Sequence, residues 1–481
     1  MKKPEDNFQP QDTATIDNTT QHSTAPDIID TQSQQPQSRL TRLRQAIWPT
    51  WMTRDMSLLL FARTFMSSTR ALAGIVVPIY LAILGFQGLT LGILFTVTAI
   101  VSALLSTLIG LLSDRIGRKP FLIIMPFLTA LASLIFAFSH VVGVLFVFAA
   151  LGSFGRGAGA SAGAIGPYQP AEQAFLADQV SPRYRNNLFG RIGFASSLGA
   201  LLGGGPLIAL TVLLSFGHSQ AQYRLDFLMG AACAFIAGLL AIPLYEAHQP
   251  TSKTQNKSIT RRKQNRPRMR LSATSWHLLL RLWVTNSING LAVGFFGPFI
   301  TYWFYRRYNT GPAEIGLLYS TINIAAMVVN LSAARVAARM GLVRAIVFTR
   351  IFQALLIIPM ALAPTFWLAG GIYLVRMMVQ RLGLPLRQSY VMGVVPNEER
   401  GRVGALANLP SQVTSALSPT LAGYLFDHVA LELPFEIGAF LQGLNAALFF
   451  LFFRAIRPPE EQQHPHSTQT ADKVSVSVGN D

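Results

Sequence analysis

One cysteine, Cys233, stands in 481 residues. It excludes an intrachain disulfide and any cysteine-based zinc cluster. The eight histidines show no metal-ligand spacing, and His464 and His466 fall in a polar tail, so no metal site is expected. Charge is scarce too: 13% of residues are charged, against about 25% in an ordinary soluble chain. No Gly-Lys-Ser or Gly-Lys-Thr phosphate loop occurs, which removes an ATP-driven pump. No Ser/His/Asp arrangement is visible, so neither an enzyme nor a cofactor is expected. The first ~50 residues lack the short apolar core of a signal peptide and read as a polar tail.

Apolar residues are abundant, at 51% of the chain. They come in repeated blocks of roughly 20, enough to cross ~30 Å of hydrocarbon at about 1.5 Å per residue. The pattern predicts an all-α membrane protein with twelve transmembrane helices. They fall near 57–84, 89–112, 120–139, 141–178, 187–215, 224–246, 276–304, 313–338, 342–362, 365–393, 401–426 and 434–456.

The formal charge of +17 does not indicate nucleic acid, because the basic residues lie almost wholly in alternate loops. Arg39, Arg42, Arg44 and Arg54 flank the first helix; Arg115, Arg118 and Lys119 follow the second; Arg183 and Arg185 follow the fourth. Eight basic residues and no acid lie between Lys253 and Arg270. The other loops are nearly bare, Arg306 and Arg307 excepted. Both termini are therefore expected in the cytoplasm, with the chain in the plasma membrane, or the inner membrane of a bacterium.

The segments expected are a cytoplasmic tail at 1–55, a bundle of six helices at 56–246, a basic linker at 247–275, a second six-helix bundle at 276–456 and a tail at 457–481. The two bundles repeat each other. "QAFLADQVSPRYR" at Gln173–Arg185 matches "QSYVMGVVPNEER" at Gln388–Arg400, an offset of 215 residues. Repeated six-helix halves are pseudo-symmetric and point to a transporter with its site between them near the midplane.

The loop after the second helix reads Gly110-Leu-Leu-Ser-Asp114-Arg115-Ile-Gly117-Arg118-Lys119-Pro120. It resembles the signature loop of the major facilitator superfamily, and with the twelve helices, the linker and the repeat the resemblance covers residues ~55–456. Physically, Gly110 permits a close helix approach and Gly117 a tight turn. Asp114 can face a helix N-terminus, and Arg115, Arg118 and Lys119 can pair with acids such as Asp178. In the family this cluster closes the cytoplasmic side. The second-half counterpart has Ala338 where the aspartate would be, so the latch is expected to be asymmetric.

Ionisable residues within the membrane are costly and so are functional candidates. Arg63 and Arg70 lie seven apart on one face of helix 1. Helix 4 has Arg156 and Glu172; helix 7 has Asn286 and Asn289; helix 10 has Arg376, Arg381 and Arg387. The resemblance implies that helices 1, 4, 7 and 10 line the central cavity. Arg70, Arg156, Asn286, Asn289, Arg376 and Arg381 are then substrate-binding candidates for an anionic group. Glu172, at the depth of Arg63, is the main deep carboxylate and the candidate for proton coupling. Burial disfavours its charge and Arg63 favours it. The structural alternative is that the arginines bind backbone carbonyls across the bundle.

A continuous helix over 141–178 would be ~57 Å long, nearly twice the hydrocarbon. A break is expected around Gly166–Pro170, with Pro167 and Pro170 as bend residues. Arg156 with "GAGASAG", and "LGALLGGGPLIA" at Leu198–Ala209, are similar to stretches of the superfamily's drug–proton antiporters. Gly205 and Pro206 should bend helix 5. These features imply a proton-coupled exporter of a small organic compound, acting as a monomer in the lipid bilayer. The other reading is an uptake symporter or exchanger for an organic or phosphorylated anion.

Overall fold

The computed structural model describes residues 52–154, 166–180, 184–215, 219–245, 273–329, 342–394, 403 and 406–454. They form α1 (Arg54–Ile83), α2 (Gly88–Ile116), α3 (Lys119–Phe138), α4 (Val142–Gly152), α5 (Tyr168–Gln179), α6 (Arg185–Gly204), α7 (Pro206–Leu214), α8 (Ser219–Ala241), α9 (Ala273–Phe296), α10 (Ile300–Tyr308), α11 (Pro312–Val329), α12 (Leu342–Ala361), α13 (Phe366–Val394), α14 (Leu409–His428) and α15 (Leu433–Phe453). No strand occurs among the described residues. Three spans are each made of two helices: α4 with α5 is span 4, α6 with α7 is span 5, and α9 with α10 is span 7. The rest are single, which makes twelve.

Among the described residues eight spans are long and apolar enough to cross a membrane by length and composition. The other four are spans 4, 8, 10 and 11. Span 4 is broken, α11 is described for only 18 residues, α13 carries arginines, and α14 is rich in Ser and Thr. Lipid-facing surfaces show as bulky apolar stripes. On α12 the exposed Phe348, Ile351, Leu355, Ile358 and Leu362 recur at three- and four-residue steps, which is one face of a helix.

Several element ends differ from expectation. Span 6 begins at Ser219 rather than 224, which moves Asp226 from the first turn of the helix into its third. Span 7, expected as one helix to 304, is interrupted at Gly297-Pro298-Phe299, because Pro298 has no N–H to continue the ladder. It then runs on to Tyr308. Arg306 and Arg307 therefore sit in its last turn rather than a loop, where cations favour the helix dipole.

Within the first half, α1 packs on α6 and α8, and α3 on α8; within the second, α9 packs on α14 and α15, and α12 on α13 and α15. Glycines set the closest of these approaches. A Cβ on Gly199 or Gly203 would lie 2.1 Å from the backbone oxygen of Thr64 or Ser68 on α1. The halves meet where α2 touches α14, α6 touches α11, and α10 touches α1. The first two contacts exchange under the repeat, since spans 2 and 5 correspond to spans 8 and 11.

The end bearing Arg115, Arg118 and Lys119 is here termed the basic end. At the opposite end the halves are shut. The rings of Phe95, Phe299 and Phe426 form a buried chain across the halves, with centroids 5.4 and 4.9 Å apart. The Asp427 carboxylate accepts from the backbone N–H groups of Gly88 and Leu89, at 2.8 and 2.6 Å. Thr420 donates to Thr96 at 2.8 Å, and Ser320 to the Leu201 carbonyl at 3.2 Å. Six hydrogen bonds join the halves between this end and the middle of the bundle.

Candidate functional site

Span 4 is where the backbone departs most from a straight helix. α4 stops at Gly152, and Ser153 takes a left-handed conformation at φ +56. The span resumes at Gly166, φ +65, with Pro167 as the N-cap of α5. The interruption thus starts earlier than expected. Pro170 falls in the first turn of α5, where its missing N–H costs nothing, so it is not a bend residue. Arg156 lies outside the described residues.

Arg70 answers part of this broken backbone. Its Nη1 donates to the Ser153 carbonyl. Its Nη2 packs so close to Gly166 that a Cβ there would lie 2.1 Å from it. The guanidinium spans from Ser153 to Gly166, so Arg70 serves the backbone here. Buried carbonyls need such a partner within a bilayer.

One turn away from Tyr168, the Glu172 carboxylate is fully buried and forms an ion pair with Arg63. Arg63 is also buried, and its Nε donates to Ser196 Oγ on α6 at 2.7 Å. Glu172 Oε1 has no hydrogen-bond partner among the described residues. The pair therefore joins spans 1, 4 and 5. Removing one member of a buried pair typically costs about 3–5 kcal/mol, because the other charge is left desolvated.

The signature loop lies beside this helix. Gly117 closes α2 at φ +103, a conformation that L residues rarely adopt, and α3 starts two residues later. Arg118 Nη1 donates to the Ala174 carbonyl at 2.7 Å, two residues beyond Glu172. The side chains of Asp114 and Asp178 lie outside the described residues. A Cβ on Gly110 would meet no described atom within 4 Å, so no close approach of the kind expected is made by the described residues.

At Gly204–Pro206 span 5 is interrupted between α6 and α7. A Cβ on Gly205 would lie 2.3 Å from Ser320 Oγ of α11, so this glycine serves the contact between halves as well as the bend.

The second half holds a separate polar pocket, lined by Asn289, Thr349, Arg350, Gln353, Arg387 and Gln442 among others. Arg376 is 1% exposed, with its guanidinium carbon 3.8 Å from the centre of the Phe296 ring. Its Nη2 reaches Gln442 at 3.5 Å, and Gln442 in turn reaches Gln353 at 3.5 Å. Arg387 donates to Asn408 Oδ1 at 3.1 Å. Arg381 is half-buried on α13 and does not line this pocket. Asn286 donates to the Ala407 carbonyl and is buried, which makes it a tie to span 11 rather than a cavity group. Asn289, three residues on, does line the pocket.

Two buried ionisable residues were not foreseen. Arg350 lies one turn from Gln353 on α12, on the face opposite its lipid stripe. The signal was a lone arginine in an apolar run with an amide at i+3. Asp226 is fully buried and hydrogen-bonded to Thr211. With a start at 224 it falls in the first turn, where an acid reads as a helix-end residue; the start at Ser219 carries it deeper.

The Major Facilitator Superfamily model matches residues 59–285 and 282–478. A multidrug resistance protein MdtG from Enterobacter lignolyticus is 25% identical over 388 residues, covering 78% of this chain and 87% of that protein. The quinolone resistance protein NorA of Staphylococcus aureus is 22% identical over 376 residues, covering 78% and 90%. Among solved structures, a bacterial homolog of the human lysosomal transporter Spinster, inward-facing and occupied, superposes with TM-score 0.63 at 14% identity, covering 83% of this chain and 96% of that one. The nucleoside transporter NupG gives TM-score 0.63 at 14% identity, covering 84% and 100%.

Proposed function

Because the chain belongs to the Major Facilitator Superfamily and is an integral membrane transporter, we propose that it exports small drug-like organic compounds in exchange for protons. The observation that carries the coupling is the buried Arg63–Glu172 pair. It is an ion pair in the hydrocarbon region whose carboxylate has one oxygen with no hydrogen-bond partner among the described residues. The names of the relatives, multidrug and quinolone resistance proteins, support export of drug-like molecules.

The basic loops support a cytoplasmic position for the termini and the basic end. The closed opposite end then faces outward, and the chain stands in an inward-facing state. In that state Glu172 is charged and held by Arg63, and the proton has left toward the cytoplasm. After substrate binds and the halves rock, Glu172 takes a proton from the outer side. Neutralising it weakens its hold on Arg63 and removes most of the cost of burying the carboxyl. Arg118, anchored on Ala174 of the same helix, passes that change to the gate formed by Gly110, Asp114, Arg115, Gly117, Lys119 and Asp178. The protein works as a monomer, with its polar tails and the linker 247–275 in the cytoplasm.

Protein reconstituted in liposomes with an acid lumen tests this reading, with ethidium and a quinolone as probes. Uptake into the lumen should require the pH gradient and collapse in Glu172→Gln. Flux that ignores the gradient, or a Glu172→Gln variant that keeps gradient-driven flux, would refute the coupling.

A further inference from the structure

From Ile315 to Asn397 the sequence contains no aspartate or glutamate, yet it contains Arg350, Arg376, Arg381 and Arg387. The first half solves a comparable problem with Glu172. The second half has no carboxylate to offer at that depth. Arg350 is 6% exposed and Arg376 is 1% exposed, so water does not solvate either one freely.

The described residues fill their donors only in part. Among them Arg376 has no hydrogen-bond partner at Nε or Nη1, and Arg350 has none at Nη1. What surrounds them orients them without neutralising them. Arg376 lies over Phe296, and Arg350 lies 5.1 Å from the centre of the Phe449 ring. A ring face attracts a guanidinium and keeps it flat but brings no net negative charge. Gln442 and Gln353 join the two arginines' surroundings through one amide-to-amide contact. Amides on both sides of a pair of forks can accept and donate, and so can fix the plane of a bound group. The pocket that Arg350, Gln353 and Gln442 line has a volume of about 70 Å³, room for one small anionic group, and Arg376 lies behind its lining, in reach of Gln442.

We infer that Arg350 and Arg376, with Gln353 and Gln442, form an anion subsite that takes one carboxylate, sulfonate or phosphate group of the transported compound. Guanidinium forks suit such groups because two parallel N–H donors meet two oxygens. This deepens the transporter reading, on which it rests, by specifying an organic anion or zwitterion as the substrate class. It assigns a binding role to Arg350 and leaves Arg70 to the backbone of span 4.

The test uses the full chain in detergent with three anions: naphthalene-2-carboxylate, naphthalene-2-sulfonate and 2-naphthyl phosphate. Each is compared with an uncharged counterpart: the carboxamide, the sulfonamide and 2-naphthol. Binding is read by equilibrium dialysis. At least one anion should bind tenfold or more tightly than its counterpart. That preference should vanish in Arg350→Gln and in Arg376→Gln, persist in part in Arg350→Lys, and be unchanged in Arg281→Gln, an arginine on the surface of the same half. Should the glutamine variants fail to fold, the wild-type protein supplies the second measurement. Phenylglyoxal modification of Arg350, followed by mass spectrometry, should slow at least fivefold with the bound anion and not with its counterpart.

The inference is overturned if no anion is preferred, or if the preference survives loss of Arg350. It is also overturned if inorganic phosphate alone competes as well as the organic anions, or if phosphatidylglycerol in mixed micelles abolishes the preference by occupying the site as a lipid headgroup. Glu172→Gln should leave the preference intact, so a failure of proton coupling and a failure of this subsite are read separately.

Discussion

Asp427 offers the sharpest test of how the halves are held. Its carboxylate, at the end of α14, caps the first two N–H groups of α2 in the other half, at 2.8 and 2.6 Å. It is both an N-cap and a charge on the helix dipole. The side chain is exposed, so solvent screening reduces its worth. Together the two bonds should contribute about 1–2 kcal/mol. Rocking the halves must separate α2 from α14 at this end, so that amount is specific to the state seen here. Asp427→Ala should then raise the population open at the opposite end by about 5–30-fold, since about 1.4 kcal/mol is a factor of ten. The assay is modification of a cysteine at Ala422, which is fully buried beneath this contact, in a Cys233→Ser background. A membrane-impermeant maleimide added from that side should react faster by the same factor. Asp427→Asn, which keeps one acceptor oxygen, should fall between. A rate unchanged within twofold would show that the carboxylate is a surface ornament and that the ring cluster alone closes the gate.

Other outcomes follow from single contacts. Arg70→Ala strips the Ser153 carbonyl of its donor and should cost about 1–3 kcal/mol, seen as a lower Tm with the Kd for transported compounds unchanged. A large loss of affinity with unchanged Tm would return Arg70 to the substrate site. Gly166→Ala combines a positive φ with a collision against Arg70 and should lower Tm at least as much as Arg70→Ala. Gly203→Ala places a Cβ 2.1 Å from the Ser68 oxygen, which forces α6 off α1 and should cost about 1–3 kcal/mol or more in thermal melts. The same change at Gly190, where a Cβ meets nothing within 4 Å, should be nearly neutral.

Much of this fold can be read from residue patterns because a bilayer imposes a length rule. Eighteen or more apolar residues in a row have few other uses, and the basic loops, the Gly117 turn and the 215-residue repeat are all local features. The interruption of span 4 after Gly152 is half legible. A run of glycines with two prolines shows that a helix fails, but not which residue fails first. Ser153 has no sequence mark for its left-handed conformation; the surrounding packing decides it. The charged groups were legible as a set but not by partner. Arg63, Arg70 and Arg376 are all arginines well inside apolar helices. Yet they face a carboxylate, a carbonyl and a phenyl ring respectively. That difference depends on which neighbour each span meets, and no spacing within one helix encodes it. Arg350 and Asp226 show the other cause. One is hidden in an apolar run, and the other lies inside the expected span but only two residues from its expected start.

The placement of charge constrains how coupling could travel. On the proposed roles, the proton site lies in the first half, between α1, α5 and α6, and the anion subsite lies in the second, between α12, α13 and α15. No described hydrogen bond joins them directly. Their communication must run through the surfaces where halves meet. Ser196, which holds Arg63, lies on α6. Five residues on, the Leu201 carbonyl accepts from Ser320 of α11. Gly204 and Gly205 continue that contact, and Gly205 ends α6 just before Pro206. Span 5 is thus fixed to the proton site at one point and to the second half a turn later, with a flexible joint immediately beyond. A shift of Arg63 on protonation of Glu172 would be delivered to α11 over little more than one helical turn. Stiffening that joint with Gly205→Ala would push against Ser320 and should uncouple the two sites. Anion binding and the Arg63–Glu172 pair would survive, while gradient-driven flux would be lost.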